Sequence, residues 1–575
     1  MEFSKRRKKK NREKIGERVF ATPVIQGSVG CDVMGMSTLT SSFEALTYNI
    51  KLQTTDHSYI YFHGRLRKSR KPVSKLFPYI YIYEPHRRED HHQLATTMNS
   101  MSEPQKLHIA MFPWLAFGHM IPFLELGKLI ARKGHHISFI STPRNIERLP
   151  KIPPDLALSI TFVKLPLPHV ENLPENAEAT MDVPYHIIPY LKKAHDGLQQ
   201  PLSRFLETSA PDWIIHDFPP YWLPPIATKL GISRAFFSIF SASTWCFLKP
   251  PGSRTSSTDA QDPSTRTEPE HFTVPPKWVP FPTKIAYRLF EAKKIFDNIE
   301  ENASGVSDWF RAEMVISGTK ALVVKTSMEV EGEWLKLLGE LYDDIPVIPV
   351  GLLPPLAQES GGNNKDSTWD TIGEWLDKQE KESVVYIALG SEIQPSQQDF
   401  KELALGLEQS GLPFFWALRK RIELPEGFEE RTRGRGVVWT GWVPQLRLLA
   451  HQSVGGFLTH CGWGSVTEAF QFGQPLILLP FLSDQGLNAR FLEERQVGVE
   501  VPRNEYDGSF SGDSVAQTLR LVMKDEKGKI YRAKAKEMST IIGGEDLQSK
   551  YVDKFVEFLR SHRHVITNDT NGTLS

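Results

Sequence analysis

Thr459-His460-Cys461-Gly462-Trp463-Gly464-Ser465 packs a ring nitrogen, a hydroxyl and two glycines into seven residues. The short apolar run Val454 to Leu458 precedes it, and Val466 to Phe472 follows with helical spacing as far as Gly473 and Pro475. A strand that enters a helix through a Gly-rich turn gathers free backbone N–H groups at the positive helix end, which makes an anion site. His460 can add a ring N–H there and Ser465 a hydroxyl. Glu468, one turn into the helix, can accept hydrogen bonds from a ribose diol. Asp484 and Gln485 come just after the next apolar strand, Leu476 to Leu479, at the edge where open α/β sheets bind ligands. Gly390 and Ser391 end another apolar run and can donate to the same anion.

Two further residues can move a proton. His119 follows the strand Leu107 to Phe112 and opens a helix. A helix N-terminus disfavours imidazolium, so a neutral ring able to accept a proton is expected; a cap or a packed ring is the alternative. Asp217 ends the run Trp213 to Asp217, where it can orient His119 and stabilise its charged form. Its alternative is to cap the turn before Pro219-Pro220. His216 should point to the opposite face. No Asp-x-Asp pair stands near a strand end, and Asp343-Asp344 look loop-like, so a divalent metal is not implied. No cofactor is expected.

Positioning these groups takes two βα series. The first continues from residue 106 through a helix at Met120 to Lys133 and strands at His136 to Ser141, Ser159 to Val163 and Ser233 to Ser238. Trp278 to Phe296 reads as amphipathic helix and Gly332 to Leu341 as another. The turn-rich PPLAQESGGNNKDST at 354–368 is the linker. The second series has strands at Val384 to Leu389, Phe414 to Leu418 and Val437 to Trp439, and ends in helices at Gly512 to Met523 and Tyr551 to Leu559. The fold class is α/β, two Rossmann-like doubly wound parallel-sheet domains facing across a cleft. The boundaries are 1–100 for a disordered or non-native extension and 101–354 for the first domain. A linker follows at 355–369, then a second domain at 370–545, a last helix at 546–562 and a tail at 563–575.

The whole stretch Trp442 to Gln485, WVPQLRLLAHQSVGGFLTHCGWGSVTEAFQFGQPLILLPFLSDQ, resembles the signature box of plant family 1 UDP-dependent glycosyltransferases. Trp442, Gln445, His460, Gly462, Trp463, Ser465, Glu468, Pro475, Asp484 and Gln485 fall at the box's spacing. The resemblance spans about Lys106 to Arg560 and implies the GT-B fold, with the last helix crossing back to the first domain. It implies that Trp442 stacks on uracil, that His460 and Ser465 hold the diphosphate, that Glu468 binds the ribose and that Asp484 and Gln485 bind the donor sugar. Ser391, Val443, Gln445, Trp463 and Gly464 complete the UDP-sugar set. Many members carry Asn where Gly464 stands, which leaves that donor role to Ser465 and backbone amides. By the same resemblance His119 is the base and Asp217 its partner in one inverting displacement with no covalent enzyme intermediate.

PWLAFGHMIPF, Trp278-Val279-Pro280-Phe281-Pro282 and the His460 turn are similar to the branch that adds a sugar to a sugar, often labelled UDP-rhamnose:rhamnosyltransferase. Gln485 leans toward UDP-glucose and the branch toward UDP-rhamnose, so both donors stay open. The acceptor expected is a flavonoid or terpenoid glycoside. The stretch Phe236 to Phe247 with Phe117, Trp245, Trp278 and Phe281 is its wall, or else plain core.

Composition trims the alternatives. The 575 residues carry no net charge, but residues 1–100 hold eighteen Lys/Arg against nine Asp/Glu, which leaves the rest at −9. The body is thus no nucleic-acid surface, and the basic run Lys5 to Lys10 stands alone. Within that region Tyr79 to Tyr83 reads as a lone strand. Cys31, Cys246 and Cys461 lack metal or redox spacing and suit a reducing, cytoplasmic compartment. No apolar run approaches a membrane span. A monomer is expected, with a UDP-sugar and a small molecule as its partners. A UDP-sugar epimerase, a dinucleotide-dependent dehydrogenase and a non-catalytic sugar-nucleotide binder are the rivals. The dehydrogenase lacks G-x-G-x-x-G after the first strand of either domain.

Overall fold

The computed structural model of the chain describes residues 33–35, 45–53, 59–67, 81–83, 106–248, 266, 268–296, 300–355 and 367–563. Two compact units divide it, Met1–Pro104 and Gln105–Ser575. In the first, β1 (Val33–Gly35), β2 (Ala45–Gln53), β3 (Tyr59–Arg67) and β4 (Tyr81–Tyr83) form an antiparallel sheet in that order. Tyr81–Tyr83 is therefore not a lone strand: it pairs with Tyr59–Tyr61. Alternating residues such as Tyr59-Ile60-Tyr61-Phe62 suit such a ladder.

The second unit holds two parallel sheets. The first contains β5 (His108–Phe112), β6 (His136–Ser141), β7 (Ile160–Lys164), β8 (Trp213–His216), β9 (Ser233–Ser238), β10 (Ala321–Val324) and β11 (Val347–Pro349), in the order β11-β10-β9-β8-β5-β6-β7. The other contains β12 (Val384–Ala388), β13 (Phe414–Leu418), β14 (Gly436–Thr440), β15 (Val454–Thr459), β16 (Leu476–Leu478) and β17 (Gly498–Glu500), in the order β14-β13-β12-β15-β16-β17. All the pairings in both sheets are parallel. Their strands read as unbroken apolar runs because both faces are covered. Val385 and Ile387 pack to one side of their sheet, Val384 and Tyr386 to the other.

In each sheet the chain winds one way, returns to the middle and winds the other way. The reversal falls between β5 and β8 in the first sheet and between β12 and β15 in the second. Ligands bind at the carboxyl ends of strands beside such a reversal. The segments there are the ones singled out above: His119 after β5, Asp217 after β8, Ser391 after β12 and the His460 turn after β15.

Several element readings change. The first helix is Phe117–Arg132 and starts earlier, so His119 sits in its first turn. Trp278 to Phe296 is not one helix: only Leu289–Phe296 is helical, because Pro280 and Pro282 offer no N–H for a ladder. Met328–Leu341 starts a turn before the reading and kinks at Glu331. Residues 367–369 of the linker open the helix Ser367–Leu376; residues 356–366 lie outside the described ones. Lys529–Ile542 is an unanticipated helix.

The last helix, Glu545–Ser561, packs on the first sheet's layer. Val552, Phe555, Val556 and Leu559 join the core of β5, β6 and β8. Trp213 Nε1 donates to the Leu559 carbonyl at 2.9 Å, and Gln548 Nε2 to that of Val350 at 2.7 Å. One apolar cluster runs through both sheets' layers, from Phe236 and Trp334 to Val384, Trp463 and Leu487. No described helix is long and apolar enough to cross a membrane.

Candidate active site

A cavity of about 450 Å³ opens where the two reversals face each other, lined from both sheets' loops. His119 and Asp217 lie on its first-domain side. The His119 ring, nearly buried, meets Asp217 Oδ2 through Nδ1 at 2.6 Å. Asp217 also accepts from the backbone N–H of Trp114 at 3.2 Å and of Phe218 at 2.7 Å. These bonds set the carboxylate, and the carboxylate sets the tautomer: Nδ1 carries the proton and Nε2 keeps its lone pair.

The direction of the His119 shift is opposite to the helix-dipole expectation. Burial acts to lower the His119 pKa. The Asp217 carboxylate, with Glu392 and Asp484 farther off, outweighs it, and the net shift is upward. A formal charge in direct contact overrides the partial charge of a helix end. His216 does turn away, as its alternation required. It is buried against Phe236 and burial holds its pKa down to about 3.

On the opposite side, the loop after β15 is built around His460. A Cβ on Gly390 or on Gly462 would come within 2.5 Å of the His460 ring, so glycine at both positions lets the two loops clasp the imidazole. Burial lowers its pKa to about 4, so it meets an anion as a neutral ring with one N–H to give. Ser465 and Gly464 line the cavity from the first turn of the helix Trp463–Gln471, the turn whose N–H groups have no partner within the helix. A Cβ on Gly464 would meet nothing within 4 Å. Cys461 and Ser483, neither of them glycine, hold left-handed backbone at φ 67° and 53°. Such strain gathers where a loop must aim its neighbours; here those are His460 and Asp484.

Glu468 lines the cavity and takes Gln445 Nε2 on one carboxylate oxygen at 2.6 Å; Gln445 Oε1 in turn accepts from the Tyr386 hydroxyl at 3.0 Å. Burial raises the pKa of Asp484 to about 6, against the hydrogen bond from Asn488 Nδ2 at 2.8 Å. Gln485 is oriented by backbone: its Oε1 accepts from the N–H groups of Phe481 and Leu482, both at 3.0 Å. Its amide therefore offers the cavity only N–H donors.

Not every expected residue reaches the cavity. Ser391, Trp463, Phe117 and Trp245 line it; Trp442, Val443 and Gln445 do not. Trp442 is 67% exposed, a bare indole face at the rim of the box. Trp278 stands behind the wall, its Nε1 bonded to the Cys246 carbonyl at 2.8 Å and its ring under Arg266. Phe281 packs on Trp334, also away from the cavity. Phe236 and Phe240 are true wall residues. Lys325 and Glu392 line the cavity unannounced. Lys325 is the first polar residue after β10, so the rule that picks Asp217 after β8 would have found it. Among the described residues no group of three or more His, Cys, Asp and Glu could hold a metal ion.

This arrangement has recognisable relatives. A family described as UDP-glucoronosyl and UDP-glucosyl transferase matches residues 349–563, and one described as Glycosyltransferase, N-terminal domain, matches residues 105–213. UDP-glycosyltransferase 91A1 of Arabidopsis thaliana is 52% identical over 470 residues, 80% of this chain and 97% of that one. Soyasaponin III rhamnosyltransferase of Glycine max is 45% identical over 477 residues, 82% of this chain and 98% of that one. The structure of Arabidopsis thaliana UGT89C1 complexed with UDP-L-rhamnose shares the fold at a TM-score of 0.61 and 24% identity, covering 79% of this chain and 100% of that one. With these relatives along nearly their whole length and a GT-B fold, the chain belongs to the plant UDP-dependent glycosyltransferases.

Proposed function

We propose that this glycosyltransferase moves glucose or rhamnose from its UDP carrier to a hydroxyl of a small plant glycoside of the flavonoid or terpenoid kind. The donor sits on the second domain, 370–545, and the acceptor on the first, 101–354. The observation that carries the reading is His119 paired to Asp217 through Nδ1, on a cavity shared with Ser465, Glu468 and Asp484. His119 Nε2 takes the acceptor proton as the oxygen attacks the anomeric carbon from the face opposite the diphosphate, and inversion follows. Asp217 stabilises the imidazolium that forms. The leaving diphosphate is met by the first-turn amides of Trp463–Gln471, the Ser465 hydroxyl and the neutral His460 ring. No divalent cation enters this scheme.

Aromatic walls from Phe117, Phe240 and Trp245 suit a flat or fused-ring acceptor. The name of the relative from Glycine max supports rhamnose as donor and a saponin as acceptor; Gln485, presenting N–H donors, supports a hydroxyl-rich sugar such as glucose. The test is UDP release from UDP-glucose and UDP-rhamnose with a flavonoid glucoside and with a saponin glycoside. Turnover with one of the two is expected, unaffected by EDTA. His119→Ala should lower kcat by roughly a hundredfold or more while UDP still binds. Turnover only with UDP-galactose or UDP-glucuronate would overturn the donor reading, and near-normal turnover by His119→Ala the mechanism.

A further inference from the structure

Lys325 belongs to the acceptor-side sheet but acts across the seam. It follows β10, and its backbone is fixed from both sides: its N–H donates to the Ser238 carbonyl at 3.0 Å, and its carbonyl accepts from Trp463 Nε1 at 2.8 Å. The side chain is buried and lines the cavity with Glu468. Nζ donates to Thr467 Oγ1 at 3.1 Å, and that hydroxyl donates to the Gly464 carbonyl at 2.8 Å. The ammonium thus rests on the residue next to Glu468, in the helix that closes the donor site. The cavity's other lysine, Lys192, is committed to both oxygens of Asp308 at 2.6 and 2.5 Å. Glu125, the other carboxylate near Lys325, is held by Lys128 at 2.8 Å. A buried ammonium whose hydrogen-bond partner is a neutral hydroxyl stays favourable only with negative charge close by.

We infer that Lys325 is a positioning residue for donor binding, whose ammonium, seated on Thr467 in the helix that carries Glu468, sets a positive charge in the same cavity and helps direct that carboxylate at the ribose diol of UDP. This rests on the ribose role of Glu468 in the reading above. Gln445 occupies one Glu468 oxygen and leaves the other for the ligand. The titratable groups that face Glu468 are Lys325 from the end of β10, Glu125 with its Lys128 from the helix Phe117–Arg132, and Tyr386 from β12. Burial raises the Glu468 pKa; the Gln445 hydrogen bond and the Lys325 charge oppose it, and Glu125 adds to it. Burial lowers Lys325 to about 8 against the pull of Glu468 and Glu125, so it remains charged at neutral pH. Without that charge the Glu468 pKa climbs further. The carboxyl then holds its proton to higher pH. A protonated carboxyl accepts hydrogen bonds from a diol more weakly than a carboxylate does.

The experiment compares the affinities of the full chain for UDP and 2′-deoxy-UDP by calorimetry. The wild type should prefer UDP by about tenfold or more, the worth of one hydrogen bond to a charged group. Glu468→Gln should erase the preference. Lys325→Gln keeps a donor for Thr467 and removes only the charge. It should cut the preference to about twofold or less at neutral pH, with recovery at alkaline pH, while Lys325→Arg retains it. If the Gln variant does not fold, Lys325→Met, which leaves no polar group in the gap, takes its place with the same readings. A wild-type preference kept by the uncharged variant while Glu468→Gln loses it overturns the role of Lys325 alone. An equal loss of affinity for both nucleotides overturns it too, since the ammonium would then serve the diphosphate. A preference that survives Glu468→Gln overturns the ribose reading itself, and this inference with it.

Discussion

Asp217 does two things to His119 that pull activity in opposite directions. It raises the imidazole pKa, which withholds the neutral base in acid solution, and it stabilises the imidazolium once the proton has moved. The acid limb of the kcat/KM profile should therefore lie above the ordinary histidine range. Asp217→Asn should shift that limb to lower pH, because burial is then opposed only by the more distant Glu392 and Asp484, while lowering the plateau by roughly ten- to a hundredfold. A limb that stays in place would deny the coupling. Asp484 makes a stability prediction. Its carboxyl titrates at about 6 in the folded chain, above its ordinary value of 3.8. Between those values the native state holds the proton more tightly than the unfolded chain, so stability falls as pH rises. At neutral pH the buried charge costs on the order of 3 kcal/mol. Asp484→Asn should therefore melt higher at neutral pH, with the gain vanishing in acid, while sugar transfer is lost. The convergence of His460, Ser465, Glu468, Asp484 and Gln485 on one cavity was legible at this scale because their spacing is itself the signal, whereas nothing in that spacing told that Trp442, Val443 and Gln445 lie off it. The role of Lys325 was not legible, since it arises only when one domain's strand end meets the other domain's helix.

Among the elements, the strands were the easiest to read. Val384–Ala388 is apolar at every position because helices cover both faces, and such runs have few other interpretations. Trp278, Phe281, Ile285 and Phe296 imitated a helical stripe, yet Pro280 and Pro282 confine the helix to Leu289–Phe296. Lys529–Ile542 escaped for the converse reason: only Ala535, Met538 and Ile542 are buried, a thin stripe among lysines. The apolar pattern of the terminal helix covers Tyr551 to Leu559, and the helix spans Glu545–Ser561, within a residue of the boundary 546–562. Its four buried apolar side chains contribute about 1.5–3 kcal/mol each, a sum close to the whole stability of a typical domain. Truncation after Gly544 should therefore yield aggregated protein, or a chain that melts at least about 10 °C lower. Soluble, fully active protein would contradict this packing.

At the scale of the molecule, two reversals in strand order set opposite each other make one cavity, and the two-domain plan was visible in the βα rhythm alone. Every residue lining that cavity falls within Gln105–Ser575, the unit whose start the family match beginning at residue 105 also marks. Deleting residues 1–97 should therefore leave kcat/KM and the melting temperature of the remainder unchanged; loss of soluble folded protein would count against this. The apolar cluster that runs from Phe236 and Trp334 to Trp463 and Leu487 has a further consequence. The seam is a shared core, also tied by Arg490 to Glu291 at 2.8 Å and by Ser241 to Asn488 at 3.1 Å. The two halves should denature in a single calorimetric transition. Recombining the first half of this enzyme with the second half of a cousin, to trade donor or acceptor preference, then becomes a matching problem. A chimera inherits its seam from two parents, and a crossover near the linker separates Glu291 from Arg490 and Lys325 from Thr467. Productive hybrids will be those in which both parents agree at these contacts, or in which the seam residues travel together with the transplanted half.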